Sequence, residues 1–266
     1  SNEVVDYSTP GANVVLSGYA HSGATLGTCT TVPNDKYTCS MDGTSSATPT
    51  VAGSAGVIRQ AFPSGIEPGW TDLLYVMIKS ANKKITDREL KYSGSIGSVN
   101  RSATVVTGFK DLEHSFDHGF GVVDVSAAVA MAENYTDDMK IGNPISKDFS
   151  SDESVAINLG ACAEQVINVE DDFQIWSLEL SIQSSVAKDK LGIFIKTPTD
   201  KTILVKNIGE RSTGNLGYNQ KFNVRAPLGL NMKGQWKILA CSNNSQGTFN
   251  GARIKAYGFN DVNTLK

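Results

Sequence analysis

No run of 18 or more apolar residues occurs in the 266-residue sequence, which argues against a transmembrane helix. Neither sign of charge is in excess: 24 Lys and Arg face 27 Asp and Glu, a net charge of -3, and no long basic cluster breaks the balance. Nucleic acid and anionic membranes are therefore not expected as partners. Histidine is scarce at three residues, and none is placed to complete a zinc-like cluster with the four cysteines, which contain no C-x-x-C pair. Internal repeats and low-complexity tracts are missing as well. No charged-then-apolar leader opens the chain, so any export signal is expected outside this polypeptide. What remains is the composition of a globular protein: 40% hydrophobic and 19% charged, enough to bury a core, at a length that fits one large or two medium domains.

The cysteines fall two in each half, at Cys29, Cys39, Cys162 and Cys241. Four cysteines allow three pairings; their clustering favours Cys29 with Cys39 and Cys162 with Cys241, against the alternative of four reduced thiols in a cytosolic protein. An exported protein, secreted or periplasmic, is the expectation. Sequons at Asn100, Asn134 and Asn243 arise by chance too readily to add weight.

Residues 1–42 read as short strands and turns around Pro10-Gly11 and Gly18. From Ser45 the pattern becomes helical, with Val51, Ala55, Ile58 and Phe62 at three- or four-residue spacing and a slim Gly/Ala face. A second helix is expected over Thr71–Asn82 with Thr71 as its cap, and a third over Val125–Asn134. Between them, residues 86–115 suggest a hairpin or extended loop. A polar stretch at 136–150 reads as a linker between a first domain, 1–135, and a second, 151–262. The second shows seven strands: Val155–Leu159, Ile175–Ile182, Leu191–Lys196, Thr202–Val205, Gln220–Val224, Gly234–Ala240 and Ala252–Phe259. Trp176, Leu178, Leu180 and Ile182 should share one face, and so many short strands predict an antiparallel β-sandwich.

The stretch with the clearest chemistry is Gly43-Thr-Ser-Ser-Ala-Thr-Pro-Thr-Val-Ala-Gly53. A glycine permits a sharp turn from strand to helix, Ser45 follows at the helix start, and Pro49 falls near the first turn, where a missing N–H costs least. At that end free backbone donors and the helix dipole favour developing negative charge, which suits a nucleophile whose attack creates an oxyanion. Local physics alone favours Thr44 or Ser45 as an ordinary N-cap, since serines and threonines are common there.

This stretch resembles the nucleophile motif of subtilisin-like serine proteases, with Ser46 where methionine or alanine is usual and Thr50 where histidine is common. Ser1-Asn2, Val4-Val-Asp6 and Thr9-Pro-Gly11 resemble a Ser-Asn…Val-Asp…Ala-Pro-Gly segment of the same family, and His118-Gly-Phe-Gly-Val-Val-Asp124 resembles its closing element. The second half is similar to the P domain that follows the catalytic domain of kexin- and furin-like convertases and some bacterial relatives. The matching residues are Lys190-Leu-Gly-Ile-Phe-Ile-Lys-Thr-Pro-Thr-Asp-Lys-Thr202, with Asp200 where glycine is usual, then Gly234-Gln-Trp236 and Tyr257-Gly258. The resemblance implies the C-terminal portion of an α/β subtilisin-like catalytic domain followed by an all-β, jelly-roll-like sandwich. It also implies a serine endopeptidase acting on protein or peptide substrates, and calcium as a common ligand of relatives.

In such proteases Asp, His and an oxyanion asparagine precede the serine, yet no Asp-x-Gly strand end or His-Gly-Thr helix occurs before Ser45. His21 lacks the helix context, and His114 and His118 follow the serine. The expectation is that Ser45 is the catalytic residue supplied by this chain. An N-terminal segment of the same protease would then be a partner bringing the other groups, and the chain alone would be inactive. The alternative is a catalytically inactive relative whose sandwich is a binding module. For calcium there is no Asp-x-Asp-x-Asp-Gly loop; Asp137-Asp138 and Asp171-Asp172 read as solvated turns.

Overall fold

A computed structural model describes residues 16, 28–32, 36–41, 44–83, 94–100, 106–107, 112–114, 119–209, 214–217, 220–261 and 264–265. They fall into two compact units, one holding the described residues up to 83 with 119–143, the other those from 94 to 114 with 144–265.

In the first unit an antiparallel hairpin of β1 (Thr28–Val32) and β2 (Lys36–Met41) precedes α1 (Thr44–Gln60), which packs with α2 (Trp70–Ser80) and α3 (Val125–Glu133). The spacing seen in the sequence has a direct outcome: Ile58 and Phe62 are buried with Val76, Met77, Ala128, Ala132 and Tyr135, while Val51 and Ala55 pack at the margin of that core. Ala52, Gly53, Gly56 and Val57 are exposed. Helix α2 departs from expectation at its start. It begins at Trp70 with Gly69 as N-cap, and the Thr71 hydroxyl donates to Gly142 O at 2.7 Å instead of capping the helix.

Asp72 is the reason. Its carboxylate is almost fully buried and accepts from Gly69 N–H (2.7 Å), Ile141 N–H (2.7 Å) and the Tyr135 hydroxyl (2.8 Å). One side chain thus closes the start of α2 and ties residues 135–141 to it. The expected 136–150 linker is accordingly structured: it carries a 3-10 turn at Asp137–Met139 and then most of the first long strand of the second unit. Burial holds the Tyr75 phenol up at about 12, and burial together with the hydrogen bond to Asp72 pushes Tyr135 up further, so both remain protonated at neutral pH. Asp72→Asn keeps the volume but turns an N–H donor toward one of the three donors. We expect a loss of about 2 kcal/mol from the first unit, read as a lowered urea midpoint, because a buried donor is left unpaired.

The closing Gly119-Phe-Gly121 run also acquires a cause. Asn82 and Val122 exchange backbone hydrogen bonds of 2.8 and 3.1 Å just beyond α2. Gly121 sits at φ +126°, where a Cβ would lie 2.6 Å from Asn82 O, so no side chain fits. Asp124 then caps α3 by accepting from Ala127 N–H at 2.9 Å.

The second unit opens with two short hairpins, β3 (Ser95–Ile96) with β4 (Val99–Asn100) and β5 (Val106–Thr107) with β6 (Glu113–His114), where the sequence suggested a hairpin or extended loop. The remaining strands are β7 (Ile145–Ser151), β8 (Val155–Ile157), β9 (Ala161–Val169), β10 (Gln174–Ala187), β11 (Gly192–Lys196), β12 (Thr202–Lys206), β13 (Asn215–Leu216), β14 (Phe222–Val224), β15 (Gly234–Ser242) and β16 (Gly247–Phe259). They form two antiparallel sheets. One runs β13-β10-β16-β7, with β14 beside β10 and β8 beside β16; the other runs β12-β11-β15-β9. Leu178, Leu180, Ile182, Ile254 and Ala256 from the first meet Ile167, Ile193, Ile195, Trp236 and Ile238 from the second in one apolar core, the arrangement of a β-sandwich.

Two features of the sandwich escaped the sequence. Strand β9 carries Gln165 inward, and this buried amide donates to Glu153 O and to Phe249 O (3.3 Å) while accepting from the Ser151 hydroxyl (2.6 Å), so a polar residue occupies a core position by linking the sheets. Trp176 leaves the expected face. A bulge between Ile175 and Ser177 puts Ile175 into the core in its place, and Trp176 packs on Phe259 instead.

Cys162 and Cys241 stand directly opposite each other in β9 and β15, with Cα atoms 4.0 Å apart, and form a disulfide. They join Ile96, Phe194, Leu204 and Leu239 in a second apolar cluster, where Ile96 of the β3–β4 hairpin covers the outer face of the four-stranded sheet. Gly97 N–H donates to the Asn243 side chain at 2.7 Å, so that sequon asparagine is committed to holding the hairpin.

Candidate active site

Strand β2 ends at Met41 and α1 begins at Thr44, so Ser45 follows a strand closely in the chain, as the second residue of a helix of 17 residues. The first four N–H groups of such a helix have no intrahelical acceptor and sum with the macrodipole to a positive end. No acidic residue stands in the first turn of α1 to neutralise it, and Arg59 lies in the last turn, where it complements the opposite pole.

Pro49 lies one turn later than the sequence suggested, because the helix begins at Thr44. Its ring nitrogen has no hydrogen to donate to the carbonyl four residues back, and that carbonyl belongs to Ser45. The proline therefore leaves one main-chain acceptor of Ser45 without its helical donor. Ala47, in the first turn of α1, is buried, whereas Thr48, Pro49 and Thr50 face solvent. The side chains of Thr44, Ser45 and Ser46, together with Gly43, lie outside the described residues.

His21 and His118 lie outside the described residues; His114 is buried in the β5–β6 ladder of the second unit, paired with Val106. The side chains of Cys29 and Cys39 likewise lie outside the described residues, although β1 and β2, which carry them, pair as a hairpin.

Among the described residues no group of three His, Cys, Asp or Glu side chains comes together. The acidic pairs are used locally. Asp137 holds Lys140 at 2.7 Å, Asp138 accepts from the Thr136 hydroxyl at 2.5 Å, Asp171 holds Lys147 at 2.5 Å and Asp172 accepts from Asn231 at 2.6 Å. No described helix is long and apolar enough to cross a membrane.

The glycine-rich signatures of the sandwich are explained by close packing. Gly234 sits at φ +126° with its α-carbon facing Pro198, and Trp236, two residues on, is buried and donates its indole N–H to Met232 O at 2.8 Å. A Cβ on Gly258 would lie 2.1 Å from Gln174 O. Asp200, where the resemblance led us to expect glycine, has φ +60°, the left-handed region that favours glycine, in the turn between β11 and β12.

Residues 1–121 match the model of the Subtilase family. Among solved structures the chain is similar to a serine protease of Aeromonas sobria, at 15% identity and a TM-score of 0.70, over 84% of this chain and 45% of that one. It is also similar to the Aeromonas sobria serine protease in its complex with the chaperone ORF2, at 15% identity and a TM-score of 0.69, over 91% of this chain and 51% of that one. The chain spans about half the length of the structures it matches, and at this identity the likeness is one of fold. No curated protein matches the sequence.

Proposed function

From a first part that is subtilisin-like in sequence, we propose that this chain works within a serine endopeptidase of the subtilisin type, with Ser45 as nucleophile. The observation that carries the reading is the Gly43-Thr-Ser-Ser-Ala-Thr-Pro49 motif inside the subtilase match, with Ser45 in the first turn of α1. In the proposed reaction Ser45 Oγ attacks the scissile carbonyl carbon while its proton passes to a histidine. The tetrahedral oxyanion collapses, the C–N bond breaks, and the leaving amine takes that proton. Water, deprotonated by the same histidine, then releases the acyl group and restores the serine.

The histidine, its orienting aspartate and an oxyanion asparagine would come from a segment preceding Ser1 in the protease. This accords with a match that spans about half of each similar structure. The sandwich would be a P domain of jelly-roll type, a reading supported by the buried Gly-x-Trp236 and the tightly packed Tyr-Gly258. Export to an oxidising compartment is compatible with the Cys162–Cys241 disulfide.

The isolated chain should not be labelled by a fluorophosphonate probe on the minutes timescale, because an unactivated serine hydroxyl is a poor nucleophile at neutral pH. Adding the preceding segment in trans should give stoichiometric labelling at Ser45, mapped by mass spectrometry. Rapid labelling of the chain alone would show that the catalytic groups lie within it. A stable complex that never labels would leave the sandwich as a binding module and overturn the protease reading.

A further inference from the structure

Among the described residues of the second unit, Arg225 is a charged side chain with a buried donor that no acceptor meets. It follows β14 directly, and its Nη1 is buried with no acceptor among the described residues. No described carboxylate reaches it. The nearest strand carboxylate by register, Glu179, is held by Lys221 at 2.8 Å, at the other end of β14. The guanidinium instead lies over the Trp176 ring, 5.6 Å from its centroid, and Phe259 supports that ring edge-on at 5.9 Å.

The backbone around this platform is clamped. Leu228 N–H donates to Arg225 O at 2.9 Å, closing a turn, and Ile175 exchanges hydrogen bonds with Leu230 O (2.8 Å) and Gly229 N–H (2.7 Å), so the loop after Arg225 is tied to the residue preceding Trp176. The bulge at Trp176 is what delivers the indole to this side of the strand. Burial lowers the affinity of Arg225 for its proton, yet a guanidinium stays charged throughout the neutral range. A fixed, partly desolvated cation with an orphaned donor is costly to maintain and becomes favourable once an anion supplies the acceptor.

We propose that Arg225, seated on Trp176, is a binding site for a single carboxylate of a peptide or protein, taken by the planar guanidinium fork. A carboxylate is favoured over a phosphate because the cation of this platform is a single planar guanidinium, whose fork matches the two oxygens of one carboxylate. The carboxylate could be a side chain or a chain terminus, and the two sources are separable.

The test uses the full 266-residue chain labelled with nitrogen-15 and follows the indole N–H signals of Trp70, Trp176 and Trp236. Sodium acetate is titrated against sodium chloride at matched ionic strength. Acetate should move the Trp176 signal saturably and leave Trp236 in place, chloride should not, and Arg225→Gln should weaken the response at least tenfold. Trp236, buried in the sandwich core, reports in the same spectrum that the variant is folded; if Arg225→Gln fails that check, Arg225→Lys is the substitute and should also weaken the response. Two peptides then identify the source: one with a free C-terminus and no acidic side chain, one amidated with a single glutamate. A response to either supports the site. Equal responses to acetate and chloride, a stronger response to phosphate, or an undiminished response in the folded variant would overturn it.

Discussion

Replacing Ser45 by alanine in the assembled protease, meaning this chain together with the segment that supplies the base, is expected to lower kcat by about 10⁴-fold or more with little change in KM. The serine hydroxyl makes the bond that defines the reaction, so its removal takes away transition-state stabilisation without touching substrate contacts. What remains is the contribution of oxyanion donors and binding. Ser46→Ala is the decisive companion, since a second hydroxyl stands immediately beside the first. It should change kcat only a few-fold, because alanine is common at that position in the proteases this stretch resembles. Side by side, hydrolysis of a peptide substrate and thermal melts of both variants separate catalysis from folding. A fully active Ser45→Ala variant, or a loss confined to Ser46→Ala, would remove Ser45 from the role.

The second large effect concerns the disulfide. Cys162 and Cys241 are separated by 79 residues in sequence, and in the chain-entropy account a closed loop of this size removes about 4–5 kcal/mol of disorder from the unfolded state. Replacing both cysteines by alanine should therefore cost the sandwich on the order of 4 kcal/mol. The lost sulfur contacts add to that figure, because Cys241 is fully buried against Phe194 and Leu239. The readout is the urea midpoint of the transition that exposes Trp236, followed separately from the first unit since the two need not unfold together. A loss below about 1 kcal/mol would mean that β9 and β15 stay close in the unfolded chain, so that the crosslink removes little freedom.

Much of the candidate site was legible because its signals are local. A serine after Gly-Thr, small residues beyond it and an apolar stripe at helical spacing are all read within one turn or two, and α1 follows them. The strands β10, β11, β12 and β15 were legible for the same reason, since alternation over five to ten residues needs no distant partner, although β10 runs on to Ala187, five residues beyond the expected end. The edge strand β7 was hidden by its exposed, polar composition, and β9 by Gln165, whose burial makes sense only once Ser151 and Phe249 lie beside it. Arg225 carries no motif at all; its significance comes from an indole that a bulge turned toward it.

By itself, then, the sequence determined the helical periodicity behind Ser45, the strand-rich second half and the glycines that punctuate both. These depend on backbone conformation and residue spacing, which neighbours along the chain largely set. Tertiary structure alone decided that Gln165 turns inward to link the two sheets, that Thr71 bonds Gly142 while Asp72 closes the start of α2, and that Trp176 leaves the core for Arg225. Each of those outcomes is a competition between partners far apart in the chain, and only the packed fold brings the competitors together.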